Sequence, residues 1–170
     1  GLLVFNISQP DSPTMVAQFQ PGGAAEDILI KDHIAYVAFF DRGITILDIS
    51  SPENPIQIGH IDTPGNARGL DFFENKLLVS DWLAGVHVID VKNPAIPVIV
   101  ASYDTDGAAW GARKKNAYAY VMDWWGGLTV LDLTNPQRIR LAGQYPQKDT
   151  VRQIITQDKF AFIANGKAGL

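Results

Sequence analysis

The chain repeats itself every 42 residues, and a period of that length leaves few folds open. Four segments align without a gap: GLLVFNISQP from Gly1, GITILDISSP from Gly43, GVHVIDVKNP from Gly85 and GLTVLDLTNP from Gly127. A second block keeps the same phase: ILIKDHIAYVA (28–38), LDFFENKLLVS (70–80), ARKKNAYAYVM (112–122) and IITQDKFAFIA (154–164). Units starting near 1, 43, 85 and 127 therefore fill residues 1–170, and Gly169-Leu170 stand where a fifth copy would open.

Each unit reads as four short strands. In the unit around Gly43 they fall at 25–31, 33–39, 43–49 and 56–61, rich in β-branched and aromatic residues and separated by Gly, Pro, Asn and Asp. The connector SSPENP carries its prolines at fixed phase, where a missing N–H and a fixed φ suit a turn and would harm a central strand. Asp48, Asp90 and Asp132 close the third strand, with Asn6 in that place in the first copy, and their expected role is to accept turn N–H groups. Helical periodicity is nowhere sustained without an intervening Gly or Pro. Four strands per unit of this length make a blade, so the expected fold is an all-β propeller with four blades' worth of chain. The chain starts at the third strand of one blade and stops after the second strand of another. Two arrangements stay open: closure into a four-bladed ring through a split blade, or part of a larger propeller with further blades or domains.

The fragments GITILDISSPENP and GLTVLDLTNP, preceded by AYVAFFDR and YAYVMDWWG, resemble the LVIVD repeat family of bacterial and archaeal propeller repeats. The resemblance spans all 170 residues. It implies the propeller fold and an exported, periplasmic or cell-surface setting. It implies no particular activity and brings no catalytic residues with it. Asn6, and Ile139 where other copies have Pro13, Pro55 and Pro97, depart from the pattern at turns.

Composition narrows the partners. Formal net charge is -4 and the longest basic run is Arg113-Lys114-Lys115, too short a field for displacing counterions from a nucleic acid. No stretch is apolar enough for a transmembrane segment. Absence of cysteine excludes disulfides and thiolate metal sites. No P-loop, dinucleotide fingerprint or calcium loop is present, and no cofactor is expected.

Function on a repeat scaffold sits on the loops that differ between copies. One face collects the turns leading into the first strand and those between the second and third. At one phase near the start of the first strand stand Glu26, Arg68, Trp110 and Arg152; the other turns supply Phe39 to Arg42, then Asp81, Trp82 and Leu83, then Asp123, Trp124 and Trp125, then Asn165 and Lys167. All four tryptophans belong to this face. The candidate binding residues are thus Glu26, Arg68, Trp82, Trp110, Asp123, Trp124, Trp125 and Arg152, a set suited to a partner protein or a surface glycan. The same residue types also serve as inter-blade packing, turn caps and internal ion pairs.

A non-catalytic binding or scaffold protein is the leading expectation. A carbohydrate-active enzyme with carboxylates among Glu26, Asp27, Asp81 and Asp123 at the channel mouth is the alternative, and a purely structural module of a larger surface protein is a third. His33, His60 and His87 fall at unrelated phases of the repeat, which suits packing or surface roles better than a shared metal or a catalytic base.

Overall fold

Gly43 and Gly85 show why the repeat begins each third strand with glycine. Both have positive φ, 62° and 72°. A Cβ on either would sit 2.2 Å from a backbone oxygen of the adjoining strand, Ile61 O or Tyr103 O. Only glycine turns the chain there without collision.

The computed structural model describes residues 1–146 and 150–166; Lys167 and the Gly169-Leu170 start of a fifth copy lie outside them. The chain opens with a hairpin, β1 (Leu2–Asn6) and β2 (Thr14–Phe19). Three four-stranded antiparallel sheets follow. The first holds β3 (Asp27–Lys31), β4 (Ile34–Ala38), β5 (Ile44–Asp48) and β6 (Ile56–Ile61). The second holds β7 (Gly69–Phe73), β8 (Lys76–Ser80), β9 (Val86–Asp90) and β10 (Val98–Tyr103). The third holds β11 (Gly111–Lys115), β12 (Tyr118–Asp123), β13 (Gly127–Asp132) and β14 (Arg140–Tyr145). A last hairpin pairs β15 (Val151–Gln157) with β16 (Phe160–Asn165). The strands expected around Gly43 are found within two residues at every boundary.

Every sheet is a meander, each strand pairing with its neighbour in sequence. Where a third strand meets a fourth, the register slips by one residue at the same phase of each copy: at Val4/Phe5, Ile46/Leu47, Val88/Ile89 (opposite Ile99 and Ala101) and Val130/Leu131. A bulge repeated this way adds twist to each blade where it is widest. The turn carboxylates act as expected. Asp48, Asp90 and Asp132 accept the N–H of Ser50, Lys92 and Thr134 at 2.8–2.9 Å, and Asn6 Oδ1 accepts that of Ser8 at 2.9 Å.

The core lies between blades rather than within one. Tyr36, Ile44 and Ile46 of the first blade pack on Leu70, Leu77, Val79 and Ile89 of the second. Leu78, Val86 and Val88 of the second pack on Ala112, Ala119, Val121 and Leu131 of the third. First strands cross-link at the inner edge, where Leu70 N donates to Asp27 Oδ2 and Lys114 N to Asp71 Oδ2. The terminal hairpins remain separate two-stranded sheets, and β16 does not pair with β1.

Candidate functional site

Three aromatic residues at one phase, Phe40, Trp82 and Trp124, start the turns between second and third strands. All have positive φ, 37°, 55° and 35°, a conformation that bulky side chains avoid. What holds them there is the next blade. Each forms an isolated antiparallel bridge to it, Phe40 with Ala67, Trp82 with Ala109 and Trp124 with Val151. The strained turn thus throws a backbone tie across the blade boundary and points its ring over the top of the sheets.

Those rings meet. Trp110 lies 4.6 Å from Trp124 and 5.6 Å from Trp82, while Trp82 is 5.6 Å from Trp124 and 6.2 Å from Trp125. The Arg68 guanidinium lies over Trp82 at 4.4 Å and Trp110 at 4.3 Å, in the angle the two rings make, with Phe40 at 4.9 Å. Its Nη1 donates to Glu26 Oε2 at 3.1 Å. Arg152 stands over Trp124 at 5.7 Å. Guanidinium on indole is favourable through the ring's negative face, more so where water is partly excluded. Seven of the eight candidate residues therefore form one contiguous cluster. Trp125 is its protruding member, 51% exposed, and Leu83, next to Trp82 in sequence, is 62% exposed.

Beside the cluster the first strands leave a funnel of about 470 Å³, whose walls include Glu26, Asp27, Arg68, Trp110, Arg113 and Arg152. Glu26, Arg68, Trp110 and Arg152, at one phase of the repeat, thus share one wall as their spacing anticipates.

Asp123 belongs elsewhere. It is fully buried and accepts from Thr105 Oγ1 at 2.6 Å, Gly107 N at 3.0 Å and Thr129 Oγ1 at 3.2 Å. Burial raises its pKa above the ordinary carboxylate value, although those three hydrogen bonds oppose the shift. Its side chain does not join the cluster above it. Asp81 does the same work one blade earlier, accepting from Thr63 Oγ1 at 2.6 Å and Gly65 N at 2.7 Å. There His87 replaces Thr129: its Nε2 lies 2.9 Å from Asp81 Oδ2 and its Nδ1 2.7 Å from Ser102 Oγ. The row Asp81, His87, Ser102 has the composition of a hydrolytic triad. The third blade fills the same knot with a threonine, and in both blades the knot ties the second-to-third turn to the strand beside it.

Three consecutive stretches, residues 22–63, 64–105 and 106–147, match the family model of the LVIVD repeat. The chain belongs to the LVIVD repeat family. Each matched LVIVD unit coincides with one four-stranded sheet, so the units counted from Gly1 are the same repeat cut at its third strand. No curated protein matches the sequence. Among solved structures, the chain resembles the computationally designed Ika4 protein, with 15% identity over 90% of both chains and a TM-score of 0.73. It also resembles the computationally designed Ika8 protein, with 11% identity over 81% of this chain and 42% of that one and a TM-score of 0.64. At such identities the likeness concerns the propeller-like fold alone.

Of the carboxylates considered for catalysis in this LVIVD chain, Glu26 is held by Arg68, and Asp27 accepts the N–H groups of Ile28 and Leu70. Asp81 and Asp123 are sealed in their blades. Among the described residues, no three His, Cys, Asp or Glu side chains gather as a metal site. Among those residues, too, no helix is long and apolar enough to cross a membrane. Arg113 of the funnel escaped the sequence reading because its counterparts Leu29, Asp71 and Ile155 share no chemistry with it. The Asp knots had a signal, the recurring Thr-x-Gly at 63–65 and 105–107 ahead of Asp81 and Asp123.

Proposed function

We propose that this LVIVD chain is a non-catalytic binding scaffold that presents its aromatic face to a partner protein. The observation that carries the reading is the exposure of Trp125, and of Leu83 beside Trp82, at a cluster whose other rings are already engaged. Trp82, Trp110 and Trp124 pack edge-on or tilted against one another, with Arg68 over Trp82 and Trp110 and Arg152 over Trp124, which leaves little open indole face for a sugar ring. A fixed platform with protruding apolar side chains ringed by charge is how interface hot spots are built. We place the scaffold at the cell surface or in the periplasm, with the family resemblance as support.

The test uses immobilised protein and its Trp125→Ser/Leu83→Ser form, both checked for an unchanged melting temperature. Proteins retained by the wild type and lost from the variant support the reading. Identical retention by both forms, or elution of the retained material by soluble glycan, overturns it.

The finer architecture belongs to the same proposal. Phe5 and Ile7 are exposed, whereas their counterparts Leu47 and Ile49, Ile89 and Val91, and Leu131 and Leu133 sit in inter-blade cores. Phe162 is exposed, whereas its counterparts Tyr36 and Leu78 are buried against a following blade. These uncovered rows support a ring of more than four blades, completed by strands of further repeats.

A further inference from the structure

The funnel has an electrostatic character opposite to that of the whole molecule. The chain carries a net charge of -4, yet three of its six arginines, Arg68, Arg113 and Arg152, line this one space. Two carboxylates share the wall, and both are committed. Glu26 pairs with Arg68 at 3.1 Å, and Asp27 accepts two backbone N–H groups. Arg113 Nη1 donates to the carbonyls of Leu70 and Ala112, which satisfies hydrogen bonds without neutralising its charge. Arg152 lies over the Trp124 ring. Among the described residues, neither Arg113 nor Arg152 has a carboxylate within ion-pair distance. Both are exposed, so their guanidinium edges are open to a ligand.

We infer that the funnel is the receptor for an acidic segment of the partner, whose carboxylates enter between Arg113 and Arg152. The inference rests on the proposed binding role of the adjoining aromatic face and gives its partner a chemistry. A guanidinium offers a planar fork of donors that matches a carboxylate, and Arg113 keeps Nε and Nη2 beyond the nitrogen it spends on backbone. Trp110 braces the wall, because Trp82 and Trp124 pack against it from behind. A second arginine beside them lets two carboxylates of one flexible segment bind together. Glu26 already occupies Arg68, so an incoming anion meets Arg113 and Arg152 first.

The test is titration of the protein with a hexaglutamate peptide, followed through tryptophan emission, with hexaglutamine as control and succinate as the free dicarboxylate. Expected is saturable binding of hexaglutamate alone, weakening as salt rises. Arg113→Gln and Arg152→Gln should each weaken it by about fivefold, the scale of one solvent-accessible charge contact. Arg152→Lys, which keeps the charge and loses the fork, should fall between. Melting temperatures of the variants identify any loss that comes from unfolding. Absence of hexaglutamate binding, or equal binding by both glutamine variants, overturns the inference. Succinate binding as tightly as the peptide overturns the assignment to an acidic segment. The proposed protein-binding role is judged separately, by retention on the Trp125→Ser/Leu83→Ser form, so either idea can fail alone.

Discussion

Trp82 and Ala109 belong to different blades, yet they exchange two main-chain hydrogen bonds, Trp82 N to Ala109 O at 3.1 Å and Ala109 N to Trp82 O at 2.9 Å. The tie exists only because Trp82 accepts a φ of 55°. Edge-to-face ring contacts with Trp110 and Trp124 and the Arg68 contact offset that strain. Local backbone cost, inter-blade cohesion and the shape of the binding face are therefore one feature.

Replacing the residue separates the two contributions. Trp82→Ala keeps the unfavourable φ and loses the ring, and should destabilise the chain by about 3 kcal/mol. Trp82→Gly loses the same ring but adopts the left-handed region freely. Glycine should therefore be the more stable variant by about 1 kcal/mol, the reverse of its usual standing in sheets. Urea unfolding of both variants checks the order.

The buried knots predict a swap between blades. His87→Thr copies the third blade, where Thr129 donates to Asp123, and should cost only about 1 kcal/mol. Asp81→Ala leaves Thr63 Oγ1, Gly65 N and His87 without their shared acceptor. That loss should be about 3 kcal/mol or more, the range for breaking a buried network. Equal losses for the two substitutions would show that the histidine does something threonine cannot.

Much of this was legible in the sequence, and the limits have physical reasons. The phase of the repeat gave the strands, because a blade's turns demand Gly, Pro and Asp at fixed places. It also put Glu26, Arg68, Trp110 and Arg152 on one wall, since a position repeated every 42 residues returns to the same height in each blade. Depth was not legible. Asp123 adjoins Trp124 in sequence, and only the alternation of side chains along β12 decides that one turns into the blade while the other rises above it. Pairing across blades was hidden too, because the Arg68 contacts depend on rings 14 and 42 residues away.

Acid should act on two aspartates in opposite senses. Hydrogen bonds from Thr134 Oγ1 and N hold Asp132 below its ordinary value of 3.8, so its contribution is present above that value and lost as pH falls through the folded one. Burial raises Asp123, so its contribution is full below 3.8 and lost as pH rises through its folded value. Asp132→Asn should flatten the stability loss on the acid side, while the acceptor for the turn survives, as Asn6 already demonstrates. Asp123→Asn should remove a slope of opposite sign at higher pH. Urea midpoints between pH 2.5 and 6.5 would reveal both changes, and slopes of the same sign for the two variants would contradict the assignment.

The two uncovered hairpins allow the ring size to be tested with a single covalent bond. In the third blade Tyr120 of β12 faces Val130 of β13. Shifted by the repeat, the same register would place Phe162 of β16 opposite Val4 of β1 if those strands completed one blade of a four-bladed ring. The chain contains no cysteine, so Val4→Cys/Phe162→Cys introduces the only thiols. A disulfide needs Cα atoms within about 7 Å, which neighbouring strands satisfy and separate sheets do not. In a ring completed by further repeats the pair stays reduced in dilute monomer under mild oxidation, and each thiol reacts independently with a maleimide. An intramolecular disulfide formed in the monomer, read from intact mass and faster migration on a non-reducing gel, would instead mean that β16 and β1 close the ring at four blades. The exposed apolar row of Phe5, Ile7 and Phe162 would then be buried, and the search for additional repeats would end.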